Sequence, residues 1–182
     1  RFVLPTEDEW YKAAYYKGGG ANAGYWDYPT GSDTQPTFQS PPGTDPINGS
    51  ANANSVVGGP YYTTPVGAYT GKPSTSPYGT YDQGGNAWEW NETLIAGAYR
   101  GRRGASWNGG PDMAAPFRDY AMPAEENSDF GFRLALLPRC YWNAGGTVWH
   151  VASNWAAKTL PTATDDAYIN NGGCAIVWIS GP

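Results

Sequence analysis

The chain has 182 residues, enough for one domain with a small appendage, and Trp, Tyr and Phe supply 15% of them, so aromatic side chains must fill much of the interior. Its 25 glycines and 16 prolines favour a loop-rich fold over helix bundles or regular α/β layers. A formal net charge of −5 argues against nucleic acid and anionic membrane as partners, and no apolar run is long enough to span a bilayer.

One short helix is predicted near the start of the chain. Thr6 has the side chain of an N-cap, and Glu9 stands three residues later, where a capping box requires it. Apolar side chains then recur at helical spacing, at Trp10, Ala13 and Ala14. The glycines at 18–20 are expected to end the helix.

The segment 21–55 is dominated by turn sequences and predicts little regular structure. It carries four aromatic anchors, Tyr25, Trp26, Tyr28 and Phe38, which favour a packed loop over a disordered one. Strands are predicted further along, at 65–69, 99–107 and 130–137.

After Pro138 the character of the sequence changes to β-rich. Strands are predicted at 167–169 and 174–179, joined by the hairpin sequence N-N-G-G at 170–173. We therefore predict an α+β, loop-rich domain at 1–137 and a small all-β appendage at 138–182.

The cysteine and histidine content limits the metal chemistry. Cys140 and Cys174 either form a disulfide or remain free thiols, and the sequence leaves both readings open. Because His150 is the single histidine, this chain cannot assemble a Cys/His zinc site or a three-histidine iron site.

Four motifs occur in order: LPTEDEW at 4–10, GTYDQGGNAWEW at 79–90, RGASW at 103–107 and GFR at 131–133. Together they resemble the sulfatase-modifying-factor family, which includes the formylglycine-generating enzymes. The resemblance covers about residues 1–137 and corresponds to the C-terminal portion of the family's domain. It implies a C-type-lectin-like core with little regular secondary structure.

The resemblance argues against the family's oxidase chemistry. In the oxidases, two cysteines shortly after the third motif bind copper and oxidise a substrate cysteine, and their positions fall at Gly109 and Ala114. Neither residue can provide a thiolate. Sulfoxide-forming relatives use histidine ligands, whereas His150 lies outside the matched region. We therefore expect that the chain is not an enzyme.

The resemblance also implies a structural calcium ion, held by the side chains of Asp82 and Glu89 and by the carbonyls of Gly85 and Ala87. Hard oxygens on a tight glycine-containing turn suit that ion. The alternative is that Asp82 caps a turn and Glu89 pairs with an arginine such as Arg103.

A second calcium site of the family matches less completely. Asn54 and Ser55 match its first pair of ligands, but its acidic position falls near Gly58. Arg118 and Arg133 also match family positions, and we expect such arginines to bond to backbone carbonyls.

A ligand-binding role would fall on residues 108–129, which form the exposed, variable face of a lectin-like fold. The candidate contacts are Trp107, Asn108, Asp112, Phe117 and Tyr120. The appendage, with its W-x-x-A-x-N-W sequence at 149–155, resembles repeat units of secreted β-solenoid and autotransporter-type proteins.

These features predict a non-catalytic, calcium-stabilised structural or assembly module at the cell surface or outside the cell. It could be a subunit of a surface filament or an adhesin, with protein partners that include its own copies. One alternative is a lectin-like domain that binds glycan or protein. Another is a fragment of an enzyme whose active site needs an N-terminal portion.

Overall fold

The computed structural model describes residues 2–20, 22–73 and 75–136, together with the backbone of three strands beyond them. The described part is mostly strands and loops, with the helix α1 (Glu7–Tyr15). The strands are β1 (Phe2–Val3), β2 (Thr37–Phe38), β3 (Ser50–Ala51), β4 (Trp88–Ile95), β5 (Tyr99–Arg103), β6 (Asp119–Ala121), β7 (Phe130–Phe132), β8 (Ala135–Leu136), β9 (Arg139–Trp142), β10 (Asp166–Asn170) and β11 (Cys174–Val177). No helix among the described residues is long and apolar enough to cross a membrane.

Helix α1 begins with the predicted capping box. The Thr6 hydroxyl accepts from Glu9 N at 3.3 Å, and Glu9 Oε2 accepts from Thr6 N at 2.7 Å. The helix ends at Tyr15, before the glycines, because Tyr16 is extended (ψ 133°) and forms a bridge with Tyr25.

A four-stranded sheet in the order β6-β5-β4-β7 organises the domain. Strand β4 pairs antiparallel with β5 and parallel with β7, and β5 pairs antiparallel with β6. The register of β4 and β5 shifts between Trp90 and Leu94. This irregularity bends the sheet where β4 leaves its regular pairing.

Three of the predicted strands differ from the structure. Residues 65–69 form a turn closed by the Ala68 N to Pro65 O bond, and Gly67 has a positive φ of 72°, so the strand prediction there was wrong. Strand β5 stops at Arg103 because Gly104 and Ala105 have positive φ. The predicted strand 130–137 is divided into β7 and β8.

The segment before β3 is packed by its aromatic side chains, as predicted. Tyr28 and Phe38 pack against a core cluster of Ala51, Ala53, Trp88, Ala105 and Met113. A second cluster contains Trp10, Ala14, Tyr15 and Ala115, with Tyr11 beside it. Aromatic rings therefore hold this loop-rich domain together.

The chain divides into two compact units, Leu4–Arg133 and a second one made of Arg1–Val3 with Leu134–Pro182. Within the second unit β1 pairs with β8, while β10 pairs antiparallel with β11 and parallel with β9. The side chains of Cys140 and Cys174 and the 149–155 sequence lie outside the described residues.

Candidate functional site

Glu89, near the start of β4, is surrounded by hydrogen-bond donors. Its carboxylate accepts from Arg133 Nε and Nη2 at 2.5 and 2.6 Å and from Trp10 Nε1 at 2.6 Å. The side chain is only 13% exposed. Arg133, rather than Arg103, is therefore its ion-pair partner, and the pairing is bidentate.

The turn that precedes β4 depends on positive-φ residues. Gly85 has a φ of 83°, and a Cβ there would lie 2.2 Å from Asn52 O, so glycine is required. Asp82 has a φ of 53°, and its Oδ2 accepts from Gly67 N at 2.6 Å. Ala87 N donates to Gly85 O at 2.8 Å.

The oxygen atoms around this turn are suitable calcium ligands, but the Arg133 guanidinium already binds the Glu89 carboxylate. Carboxylate and carbonyl oxygens are the ligands that calcium prefers. The Arg133 guanidinium, however, contacts Glu89 and also lies 3.2 Å from Tyr81 O. Among the described residues, no three His, Cys, Asp or Glu side chains form a metal-binding group. As placed here, Glu89 does not fit a calcium ion unless the ion competes with Arg133.

The residues matched to the second calcium site bind a neighbouring loop through their backbone. Asn54 and Ser55 have φ values of 54° and 57°. Their N–H groups donate to Gly109 O and Trp107 O, both at 2.6 Å. These contacts fix the position of the loop that carries Trp107.

The predicted binding residues fall into two parts of the surface. Trp107 stacks on Tyr62 with ring centroids 4.5 Å apart and an interplanar angle of 27°. Tyr120, on β6, packs edge to face on Tyr99 at 5.1 Å and is 50% exposed. We call these the two aromatic pairs.

The other three predicted contacts have different surroundings. Asn108 is exposed and its Oδ1 lies 2.9 Å from Ser106 Oγ. Asp112 is half-buried. Phe117 is 39% exposed and lies 6.0 Å from Trp88, measured between ring centroids.

The positions that hold copper-binding cysteines in the oxidases have room for side chains. A Cβ at Gly109 would meet Ser106 N and O at 3.4 and 3.5 Å, which is ordinary contact. Ala114 is half-buried. Nearby, Ser106 Oγ donates to Asp129 Oδ2 at 2.7 Å inside the domain. At Gly109, therefore, the backbone leaves room for a Cβ, and the residue type alone excludes a thiol there.

Sequence reasoning missed a buried ion-pair network on the helix. The sequence offers Glu7 only as part of the first motif, yet its side chain is 9% exposed and paired. Its Oε1 lies 2.7 Å from Arg103 Nη2, and its Oε2 lies 2.6 Å from Arg118 Nη2. Local sequence has no signal for such a partner, since Arg103 is 96 residues away.

Arg103 joins this network to the loop before β6. Its Nη1 donates to Ala115 O at 2.7 Å and to Phe117 O at 2.5 Å. Arg103 thus bonds to backbone carbonyls, the contact that was expected for Arg118 and Arg133. Arg133 does the same with Tyr81 O, whereas Arg118 pairs with Glu7.

Tyr15, the last residue of α1, packs in the core cluster that contains Trp10 and Ala115. It is fully buried, and its hydroxyl donates to Met113 O at 2.9 Å. Burial raises the pKa of the phenol far above its usual range, while the charge of Arg103 acts in the opposite direction. The phenol therefore stays neutral and serves as a donor.

Comparisons with known proteins agree with the motifs. The profile of the sulfatase-modifying factor enzyme 1-like domain matches residues 1–137. The inactive C-alpha-formylglycine-generating enzyme 2 of Bos taurus is 33% identical over 142 residues, which are 72% of this chain and 43% of that protein.

Two solved structures are also similar. CarF has a TM-score of 0.50 and 26% identity, over 73% of this chain and 46% of CarF. Treponema denticola variable protein 1 has a TM-score of 0.49 and 30% identity, over 73% of this chain and 46% of that one. The chain spans less than half the length of these relatives. Because the profile covers 137 of its 182 residues, the chain belongs to the sulfatase-modifying-factor family.

Proposed function

We propose that this chain is a non-catalytic family member that acts outside the cell as a structural or assembly module. The absence of a thiol at Gly109 and Ala114 supports the first part, because copper-dependent oxidation needs thiolates there. A relative named inactive is compatible with this assignment. The resemblance of the appendage to secreted repeat proteins supports a location outside the cell.

The observation that carries the binding role is the Tyr62–Trp107 pair. Trp107 lies on the loop that continues to Gly109, so the segment that is catalytic in the oxidases presents a rigid aromatic surface here. The backbone bonds from Asn54 and Ser55 hold that loop in place before any partner arrives. Preorganised aromatic side chains are the residues on which binding energy concentrates in protein interfaces.

The Tyr99–Tyr120 pair supports a protein partner. Tyr120 lies on β6, which is an edge strand of the four-stranded sheet. Exposed strand edges recruit further strands unless they are blunted. We infer that the partner is protein and that further copies of this chain are its first candidate.

Self-association tests this proposal directly. Sedimentation velocity of the chain over a range of concentrations should show assembly that Trp107→Ala and Tyr120→Ala each weaken. Tyr61→Ala is the control, because Tyr61 is 83% exposed and close in sequence to the Tyr62–Trp107 pair. Both variants should remain folded at the assay temperature, since neither ring is fully buried, and thermal melts of both variants check this.

Two results would contradict the proposal. Copper-dependent oxidation of a cysteine peptide by the purified chain would show that it is an enzyme. A monomer at all concentrations that binds glycans through Trp107 would support the lectin-like alternative instead.

We also propose calcium as a stabilising ligand of the turn before β4. The side chains of Asp82 and Glu89 and the carbonyls of Gly85 and Ala87 supply hard oxygens that would hold it. Arg133 opposes this part of the proposal, because its charge already offsets that of Glu89. Calcium and Arg133 would therefore compete for one carboxylate.

A further inference from the structure

The register shift between β4 and β5 creates a recess in the sheet. Trp90 pairs with Arg102 and Leu94 pairs with Arg100, so residues 91–93 of β4 face Gly101 alone. Such bulges redirect side chains and are common beside functional sites. Gly101 is essential to this one, because a Cβ there would lie 2.6 Å from Asn91 Oδ1.

Residues on both strands of this irregular stretch border a cavity of about 290 Å³ within the larger unit. It is lined by Leu4, Trp90, Asn91, Glu92, Arg100 and Pro123. Apolar surface combined with a few polar groups is the composition of small-molecule sites, and this volume is at the lower end of their range. The cavity therefore has room for a small ligand the size of a single six-membered ring with its substituents.

Asn91 supplies a donor that nothing in the described part of the chain satisfies. It is 1% exposed, and its Oδ1 accepts from Thr93 N at 3.1 Å, which orients the amide. Its Nδ2 has no hydrogen-bond partner among the described residues. Leaving such a group unsatisfied costs about 1–3 kcal/mol. The amide is buried beside the cavity that Asn91 lines, so a ligand acceptor would satisfy it once the amide turns toward that cavity.

Glu92 provides a hydrogen-bond acceptor and Arg100 provides a donor, and together the two side chains carry no net charge. Arg100 Nη1 donates to Glu92 O at 2.7 Å, and Arg100 Nη2 lies 3.9 Å from Glu92 Oε2. These contacts fix the guanidinium and keep the two charges together. A group that both donates and accepts, such as a hydroxyl, can bond to both side chains, whereas an anion can accept from Arg100 but has no proton to donate to Glu92.

Trp90 provides the apolar counterpart. Its ring meets Phe130 edge to face at 5.5 Å and 87°, which fixes its orientation. A pyranose ring has an apolar C–H surface and hydroxyls around its edge. The Trp90 indole, Leu4 and Pro123 can contact the C–H surface of the sugar. Asn91, Glu92 and Arg100 can bond to its hydroxyls.

We propose that this cavity binds one neutral saccharide residue, with Asn91, Glu92 and Arg100 on its hydroxyls and Trp90 against its C–H face. The cavity shares no lining residue with the two aromatic pairs, and the proposal does not depend on the assembly role.

Titration of the full chain with methyl β-D-glucopyranoside and methyl α-D-mannopyranoside, followed by ¹⁵N NMR, tests the proposal. At least one glycoside should shift the Asn91 side-chain amide and the Trp90 indole N–H saturably. Arg100→Gln should weaken binding about tenfold, the loss expected for one hydrogen bond to a charged group. Trp90→Phe keeps an aromatic ring against Phe130 and should weaken binding less than Arg100→Gln.

The matched control is Arg118→Gln, which removes another half-exposed guanidinium paired with a glutamate outside this cavity. It should leave the glycoside affinity unchanged, and so should Trp107→Ala, whatever that variant does to assembly. Absence of saturable shifts for both glycosides would overturn the proposal. So would equal affinity in Arg100→Gln, or tighter binding of glucuronate than of the neutral sugars.

Discussion

At the scale of single residues, the Glu89 carboxylate has two alternative partners, the Arg133 guanidinium and the proposed calcium ion. The motif around it resembles a calcium loop, but in this structure Arg133 and Trp10 occupy its oxygens. A buried ion pair costs desolvation on both sides, and removing one partner leaves the other uncompensated. The competition between Arg133 and calcium can therefore be measured by changing each side of the pair.

We predict that calcium raises the thermal midpoint modestly in the native chain, and more in Arg133→Gln, because that variant leaves Glu89 for the ion. Glu89→Gln should abolish the response to calcium. Differential scanning calorimetry in calcium and in chelator measures these shifts, which follow from preferential binding to the folded state. Identical midpoints in calcium and chelator for the native chain and Arg133→Gln would show that Asp82 and Glu89 are turn and ion-pair residues alone.

At the scale of elements, the β4–β5 bulge is the feature on which the sheet and the cavity both depend. The Asn91 amide lies over the backbone of Gly101, which has no side chain to displace it. Asn91 is also held by Thr93 N, so it cannot move away cheaply. The bulge is therefore a packed arrangement rather than a loose defect.

Gly101→Ala should destabilise the domain by about 1–3 kcal/mol, the usual cost of overpacking, because its Cβ would meet the Asn91 amide. Gly110→Ala is the control, because a Cβ at Gly110 meets nothing within 4 Å and its effect should stay within about 0.5 kcal/mol. Urea denaturation of both variants provides the comparison. Equal stability of the two would mean that Asn91 can leave its place without cost.

At the scale of the whole molecule, the free energy of unfolding in acid depends on carboxylates that accept hydrogen bonds within loops, such as Asp45. Hydrogen bonds from Asn48 N, Thr37 Oγ1 and Ile47 N lower the pKa of Asp45 below its ordinary value. A carboxyl whose folded pKa is lowered adds stability above its unfolded pKa of about 3.9, and that stability is lost as pH falls through the folded pKa.

Asp45→Asn should therefore lower the free energy of unfolding at pH 7, and the difference from the native chain should shrink as the pH falls below about 4. Urea unfolding at several pH values measures it, with Glu126→Gln, at an exposed position, as the control. A difference that is independent of pH would indicate that the Asp45 charge has no part in holding the loop.

The predictable parts of the structure depended on local chemistry. The capping box of α1 and the family motifs could be read from neighbouring residues, because their contacts span three or four positions or are carried by contiguous sequence. The strand prediction at 65–69 was wrong because a contact with a residue 15 positions away decides the structure there. A positive φ at Gly67 and a bond from Gly67 N to Asp82 override the β-forming residues there.

The sequence by itself determined the family, the loop-rich aromatic fold and the absence of thiols at Gly109 and Ala114, since these follow from residue identity and order. The partners of the charged residues were decided only by the tertiary structure. Glu7 meets Arg103 across 96 positions, and Arg133 meets Glu89 across 44. These ion pairs join residues that are distant in the chain, and their geometry exists only once the chain has folded.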